Sequence, residues 1–309
     1  MWSRRQVLAA AGLGGLAVLP RFGFAKDPPK DAPMTDLIVR TIPSTGEKVP
    51  AVGLGSWQTF DVEDVAPITP VLERFLALGG RVIDSSPMYG KAEAAIGKMM
   101  AALRKADPKT PAPFFATKVW TRGKSDGIAQ MKKSLSLLGI QKIELMQIHN
   151  LVDWKTHLAT LREWKAAGTV KYIGITHYAH GSFDELEQII KTEKIDVVQL
   201  PYSVSDRAAE KRLIPAARDA GVAVLVMQPF SSGSLFGKVK GKALPKVATE
   251  LGCTSWGQLF LKFLLGNPAV TCPIPATSKV KHVEDNLGAM RGVVPDEAQR
   301  KAIVSAVAG

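Results

Sequence analysis

The run Arg81-Val82-Ile83-Asp84-Ser85-Ser86-Pro87-Met88-Tyr89-Gly90 joins a short apolar segment to a carboxylate, a tight turn and a tyrosine. Val82 and Ile83 read as a buried parallel strand, apolar on both faces. In an α/β barrel such strands end at the rim that holds the polar working residues. Two later runs finish the same way: Phe114-Phe115-Ala116-Thr117 ends on Lys118, and Leu145-Met146-Gln147-Ile148 ends on His149. The expectation is an acid, a phenol, an ammonium and an imidazole on one rim.

Outward from that run the chain repeats a unit of apolar strand, loop and amphipathic helix. Strand candidates are Val52–Gly55, Val82–Asp84, Phe114–Lys118, Ile143–His149, Tyr172–Thr176, Val197–Leu200, Val222–Met227 and Val270–Ile274. Helices are expected at Val65–Leu78, Ala92–Leu103, Ser125–Leu138, Trp154–Ala167, Asp184–Thr192, Ala208–Ala220 and within Pro245–Leu265. Gly79-Gly80, Gly139, Gly168 and Gly221 sit where helices stop. Eight alternating units in 309 residues predict a closed (β/α)8 TIM barrel. Ile38–Ile42 and Val49–Val52, split by Ser44-Thr45-Gly46, predict an N-terminal β-hairpin, and a helix over Asp296–Val307 is an extra C-terminal one. A doubly wound sheet would want Gly-x-Gly-x-x-Gly opening a helix. Gly53-Leu54-Gly55 lacks the third glycine.

Before the barrel, Ser3-Arg4-Arg5-Gln6-Val7-Leu8 is a twin-arginine pattern, followed by an apolar run from Val7 to Leu19 and closed by Pro20. The run is too short to span a bilayer. Small residues at Gly23 and Ala25 place a cleavage after Ala25, leaving 26–35 as linker and 36–309 as barrel. The implied location is the periplasm, reached folded, with no stable membrane span after cleavage. The net charge of +12 includes Arg4, Arg5 and Arg21, and the leader holds no acid, so the mature charge is +9. Scattered basic residues without a nucleic-acid motif exclude that class of partner. Cys253 and Cys272 read as two buried thiols, with pairing in an oxidising compartment as the alternative, and no Cys/His cluster has metal-ligand spacing.

The rim set has a definite chemistry. A phenol titrates near 10, too high to trade protons readily at neutral pH, and a neighbouring ammonium lowers that value. Lys118 would do this for Tyr89, with Asp84 holding the lysine. His149 would orient a carbonyl oxygen toward Tyr89. Hydride must come from outside, because no side chain carries it. Singly, each residue has a structural explanation: a buried ion pair, a packed tyrosine, a hydrogen-bonded histidine. Their shared rim is what favours catalysis. Trp57 and Trp120 stand just past strand ends, as pocket walls or as caps of the core, and His157 and His180 read as ordinary surface residues.

Asp84, Tyr89, Lys118 and His149, at intervals of 5, 29 and 31 residues, resemble the catalytic tetrad of the aldo/keto reductases. The resemblance runs from the hairpin and Gly53-Leu54-Gly55-Ser56-Trp57 to Ile274-Pro275-Ala276-Thr277 and Asp285-Asn286. It implies a monomeric barrel that reduces a small aldehyde or ketone with NADPH, with NADH as the alternative. It places Ser56, Trp57, Gln199, Asp285 and Asn286 among the cofactor-binding residues. Thr176 and His177 take the place of the family's Ser-Asn pair, and Met227 that of its stacking tyrosine. Gln228, Pro229, Phe230, Ser232, Gly233 and Leu235 form the expected pyrophosphate strap, whose backbone N–H groups would bind the anion. At the 2′-phosphate end the family's lysine and arginine are replaced by Ala276 and His282, with Thr277, Lys279 and Lys281 nearby. Two other classes remain: a sensory or auxiliary barrel that holds cofactor with little turnover, and a cofactor-free sugar- or phosphate-binding barrel.

Overall fold

The computed structural model describes residues 37–308. The twin-arginine pattern, the apolar run, the cleavage position and the whole 26–35 linker lie outside them. The hairpin strands β1 (Val39–Ile42) and β2 (Glu47–Pro50) pair antiparallel, with Ile42 opposite Glu47. The second strand begins two residues earlier than expected. Gly46, at φ 77°, closes a tight turn onto the Ile42 carbonyl, so pairing resumes at once.

Eight parallel strands follow: β3 (Leu54–Gly55), β4 (Val82–Asp84), β5 (Phe114–Val119), β6 (Ile143–His149), β7 (Val170–Thr176), β8 (Val197–Pro201), β9 (Ala223–Met227) and β10 (Val270–Pro273). Each pairs with the next in sequence. The ring closes where the Gly53 N–H donates to the Pro273 carbonyl at 2.9 Å and the Gly55 N–H to Pro275 at 3.1 Å. A Cβ on Gly53 would meet the Val82 carbonyl at 2.9 Å, and one on Gly55 the Ile274 carbonyl at 2.8 Å. The two glycines therefore let the first strand fit between its neighbours.

Strand alternation divides the core in two. Outward residues such as Ile83, Phe115, Ile148, Ile175 and Val198 pack under the helices. Inward residues at the N-terminal end, including Val82, Phe114, Leu145, Tyr172, Val197 and Leu225, join Ile42 and Val49 of the hairpin in a second apolar cluster. Further along the same inward phase the residues turn polar: Asp84, Lys118, Gln147, His149, Thr176 and Gln199. The barrel is thus plugged at one end and chemically equipped at the other.

The helices follow the sequence pattern except where proline intervenes. The first barrel helix is only Thr69–Ala77, with proline in its opening turn. The expected Ala208–Ala220 helix is two, Ala208–Lys211 and Leu213–Asp219. The Pro215 ring has no N–H and crowds the Lys211 carbonyl four residues back, so the break falls between them. The Pro245–Leu265 region resolves into Lys246–Glu250 and Trp256–Leu265, the second capped by the Ser255 hydroxyl accepting from the Gln258 N–H. Glu297–Ala308 is the extra C-terminal helix. No helix among the described residues is long and apolar enough to cross a membrane.

Candidate active site

At the C-terminal ends of the strands lies a cavity of about 1040 Å3. Asp84, at the end of β4, is its buried anchor. One carboxylate oxygen accepts from Lys118 Nζ at 2.7 Å; the other accepts from Gln147 Nε2 at 3.0 Å and Gln199 Nε2 at 2.9 Å. Lys118 also donates to the Ser85 carbonyl at 2.8 Å and stands 5.0 Å from the centre of the Tyr89 ring. The Tyr89 and His149 rings meet edge to face, with centroids 5.8 Å apart. The four predicted catalytic side chains are brought together.

Their electrostatics differ from expectation in one respect. Burial pushes the Tyr89 phenol up, and the Lys118 charge offsets this only in part, so the group stands above its ordinary value, not below it. Burial alone would pull Lys118 down, but Asp84 and then Tyr89 raise it above the usual value, and it remains a cation. Burial, then the charge of Lys118, brings His149 down to about 3. At neutral pH the site therefore holds a protonated phenol, an ammonium ion and a neutral imidazole.

Gln147 escaped the sequence reading. It lies two residues before His149, on the same inward phase, inside what looked like an apolar run. A Cβ at Gly174 on the neighbouring strand would sit 2.8 Å from Gln147 Cγ, so the glycine makes room for the amide to reach Asp84. Tyr178, Gln58, Asn150 and Phe236 are further cavity residues the sequence did not single out. Trp57 borders the cavity 6.4 Å from the Tyr89 ring, and Trp120 stands 6.4 Å from the His149 ring, outside the lining.

The predicted cofactor residues divide into three groups. Ser56 lines the cavity and is fixed by donating to the Asp84 carbonyl at 2.9 Å. Gln199 does too, but its amide is engaged at both ends, since Thr176 Oγ1 donates to Oε1 at 3.3 Å. Thr176 sits behind Gln199, not in the wall, and His177 stacks on Tyr178, which takes the wall position.

Met227 and the strap residues Gln228, Pro229, Phe230, Ser232 and Gly233 line the cavity. Leu235 does not; its side chain is wholly in the core, because the chain turns into the short helix Ser234–Lys238. The N–H groups of Ser231, Gly233 and Leu235 bond to the Gln228 and Phe230 carbonyls, so fewer strap donors face the cavity than expected.

At the far end, Ala276, Thr277, His282, Asp285 and Asn286 line the wall. Thr277 Oγ1 accepts from the Lys279 N–H at 3.1 Å and bonds His282 Nδ1 at 3.2 Å. Burial, then Lys279 and Lys281, holds His282 below its usual pKa. The Asp285 carboxylate accepts from Ser255 at 2.7 Å and Gln258 at 3.0 Å.

This wall runs from an amide, a thioether and aromatic rings at the tetrad to hydroxyls, an imidazole and an amide at the other end, with Lys279 and Lys281 close enough to act on His282. That donor set fits an elongated molecule with a flat ring at one end and anionic groups beyond. No cluster able to hold a metal ion occurs among the described residues.

A sequence profile of the Aldo/keto reductase family matches residues 51–307. The chain belongs to the aldo/keto reductase family. As a member it is an NAD(P)H-dependent oxidoreductase. An uncharacterized oxidoreductase of Saccharomyces cerevisiae is 28% identical over 267 residues, covering 83% of this chain and 90% of that one. The NADH-specific methylglyoxal reductase of Escherichia coli is 26% identical over 230 residues, covering 63% and 68%. An aldo/keto reductase of Klebsiella pneumoniae, solved with NADP and acetate, superposes with a TM-score of 0.72 at 20% identity, covering 85% of this chain and 93% of that one.

His157 and His180 also lie apart from the cavity. His180 is exposed beside Asp206. His157, expected at the surface, is buried: its Nε2 bonds the Thr121 carbonyl at 2.7 Å, and its ring fills the space a Cβ on Gly127 would take. Cys253 and Cys272 are both buried and free.

Proposed function

We propose that this chain reduces an aldehyde or ketone to an alcohol, with Tyr89 as proton donor. The observation that carries this is the meeting of Asp84, Lys118, Tyr89 and His149 at one end of a long cavity. Tyr89 holds its proton until a carbonyl oxygen beside it gains negative charge, then transfers it. The neighbouring Lys118 cation stabilises the phenolate left behind. Asp84 holds that cation in place, and the amides of Gln147 and Gln199 hold Asp84. His149 stays neutral and orients the carbonyl oxygen.

Met227, Phe230, Gln199, Thr277 and Asn286 would hold a nicotinamide dinucleotide. When bound, its reduced ring supplies the hydride. Lys279 and Lys281 provide charge for a 2′-phosphate, which favours NADPH. His282 adds none while neutral, and Asp285 opposes it, so NADH is the alternative donor. Some relatives point each way, one named for NADH and others solved with NADP or NADPH.

The test mixes the purified protein with NADPH or NADH, then adds nitrobenzaldehyde. Binding should change nicotinamide fluorescence, and the aldehyde should then consume the reduced cofactor. Binding without consumption would overturn the proposal in favour of a non-catalytic cofactor barrel, and no binding would favour a cofactor-free one.

A further inference from the structure

Ser86 lies in the turn between Asp84 and Tyr89 and is fully buried. Its hydroxyl oxygen is 2.9 Å from Nδ1 of His149 and 3.3 Å from the Met88 N–H. A serine hydroxyl has one proton to give and two lone pairs to fill. The Met88 amide can only donate, so it takes a lone pair. The hydroxyl proton then has a single acceptor within reach among the described residues, the Nδ1 lone pair. In the reverse arrangement, with Nδ1–H donating to the hydroxyl, the serine proton would be buried without a partner, which folded proteins avoid. The other ring nitrogen, Nε2, has no protein partner among the described residues, and the ring borders the cavity.

We propose that Ser86 is a positioning residue: by donating to Nδ1 it holds His149 as the Nε2–H tautomer, so that the imidazole offers the carbonyl oxygen a proton donor. The opposite tautomer would turn a lone pair toward that oxygen and repel it. Serine keeps its proton throughout, His149 keeps the Nε2 proton, and the proton that ends on the alcohol comes from Tyr89. The catalytic consequence rests on the proposed carbonyl reduction; the tautomer itself does not.

Side-chain 15N NMR of the full-length protein without cofactor reads the tautomer directly, with His149 assigned by difference from His149→Gln. The expected spectrum shows Nε2 protonated and Nδ1 bare. Ser86→Ala should give a mixture of both tautomers, and Ser86→Thr should restore the first. In turnover, Ser86→Ala should lower kcat/KM by about tenfold, the loss of one hydrogen bond. Cofactor affinity should stay unchanged, and Ser86→Thr should recover most of the rate. Protonated Nδ1 in the wild-type protein would overturn the proposal whatever the variants do. A Ser86→Ala protein with the wild-type tautomer would overturn it equally. If the protein reduces no carbonyl, the spectrum still decides what Ser86 does.

Discussion

Both ends of this barrel gather a tyrosine, a lysine and a carboxylate. At the C-terminal end Lys118 Nζ is 2.7 Å from Asp84, and at the N-terminal end Lys171 Nζ is 2.8 Å from Glu47. Each lysine lies close to the ring of its tyrosine, at 5.0 Å over Tyr89 and 5.4 Å over Tyr172. Both phenols are pushed above their ordinary value, burial being the largest cause in each. Distances and shift directions therefore do not separate the two sets.

Burial of the charges and the setting of the hydroxyl do separate them. The side chains of Lys118 and Asp84 are 0% and 3% exposed, those of Lys171 and Glu47 are 50% and 33%. Tyr172 is bonded to Thr45 at 2.6 Å and to Glu47, which fastens the hairpin to the barrel floor. Tyr89 opens onto a cavity of about 1040 Å3, whereas the apolar floor leaves a gap of about 10 Å3. The same residue types make a latch where water and packing satisfy them, and a reactive group where space is left for a reactant.

The largest contrast is expected from the lysines. Lys118→Met removes the cation from a buried carboxylate and should cost about 3–5 kcal/mol in urea unfolding, with carbonyl reduction falling about hundredfold or more. Lys171→Met, at a half-exposed pair, should cost about 1 kcal/mol or less and leave the rate alone. Equal losses would erase the distinction between the two ends.

Acid should act on the upper end next. His149 has an unfolded value near 6.5 and a folded value of about 3, so between these limits the unfolded chain binds the extra proton. Its contribution is complete above pH 6.5 and is lost as pH falls toward 3, by about 1.4 kcal/mol per pH unit at most. His149→Gln should flatten the difference in stability across that window, measured by denaturant melts at several pH values. A smaller effect belongs to the floor: Tyr172→Phe should cost about 1 kcal/mol and speed amide exchange in residues 39–50 without slowing turnover.

Much of this asymmetry was legible in the chain. Asp84, Lys118 and His149 each end a short apolar run, and strand alternation puts them on the same inward phase as Val82, Phe114 and Leu145. What was less legible depended on partners distant in sequence. Gln147 reads simply as part of the apolar run Leu145–Ile148, because the room for its amide to reach Asp84 comes from Gly174 on the neighbouring strand. Pro215 marked a helix break that the apolar pattern concealed. His157 looked like a surface residue because its burial is created by a glycine thirty residues earlier. Gln228, Ser231 and Ser232 adopt positive φ without being glycine, so the strap's internal bonding left no mark in composition. The upward direction for Tyr89 came from burial, which neighbouring charge alone did not indicate.

The most direct test is single-turnover reduction of a saturating aldehyde by wild-type and Tyr89→Phe protein, each loaded with reduced cofactor whose dissociation constant is measured in parallel. The rate should fall about hundredfold or more while the dissociation constant stays within about twofold, because the hydroxyl acts in the transition state and not in cofactor binding. An undiminished rate in Tyr89→Phe would contradict the assignment of that phenol as the proton donor.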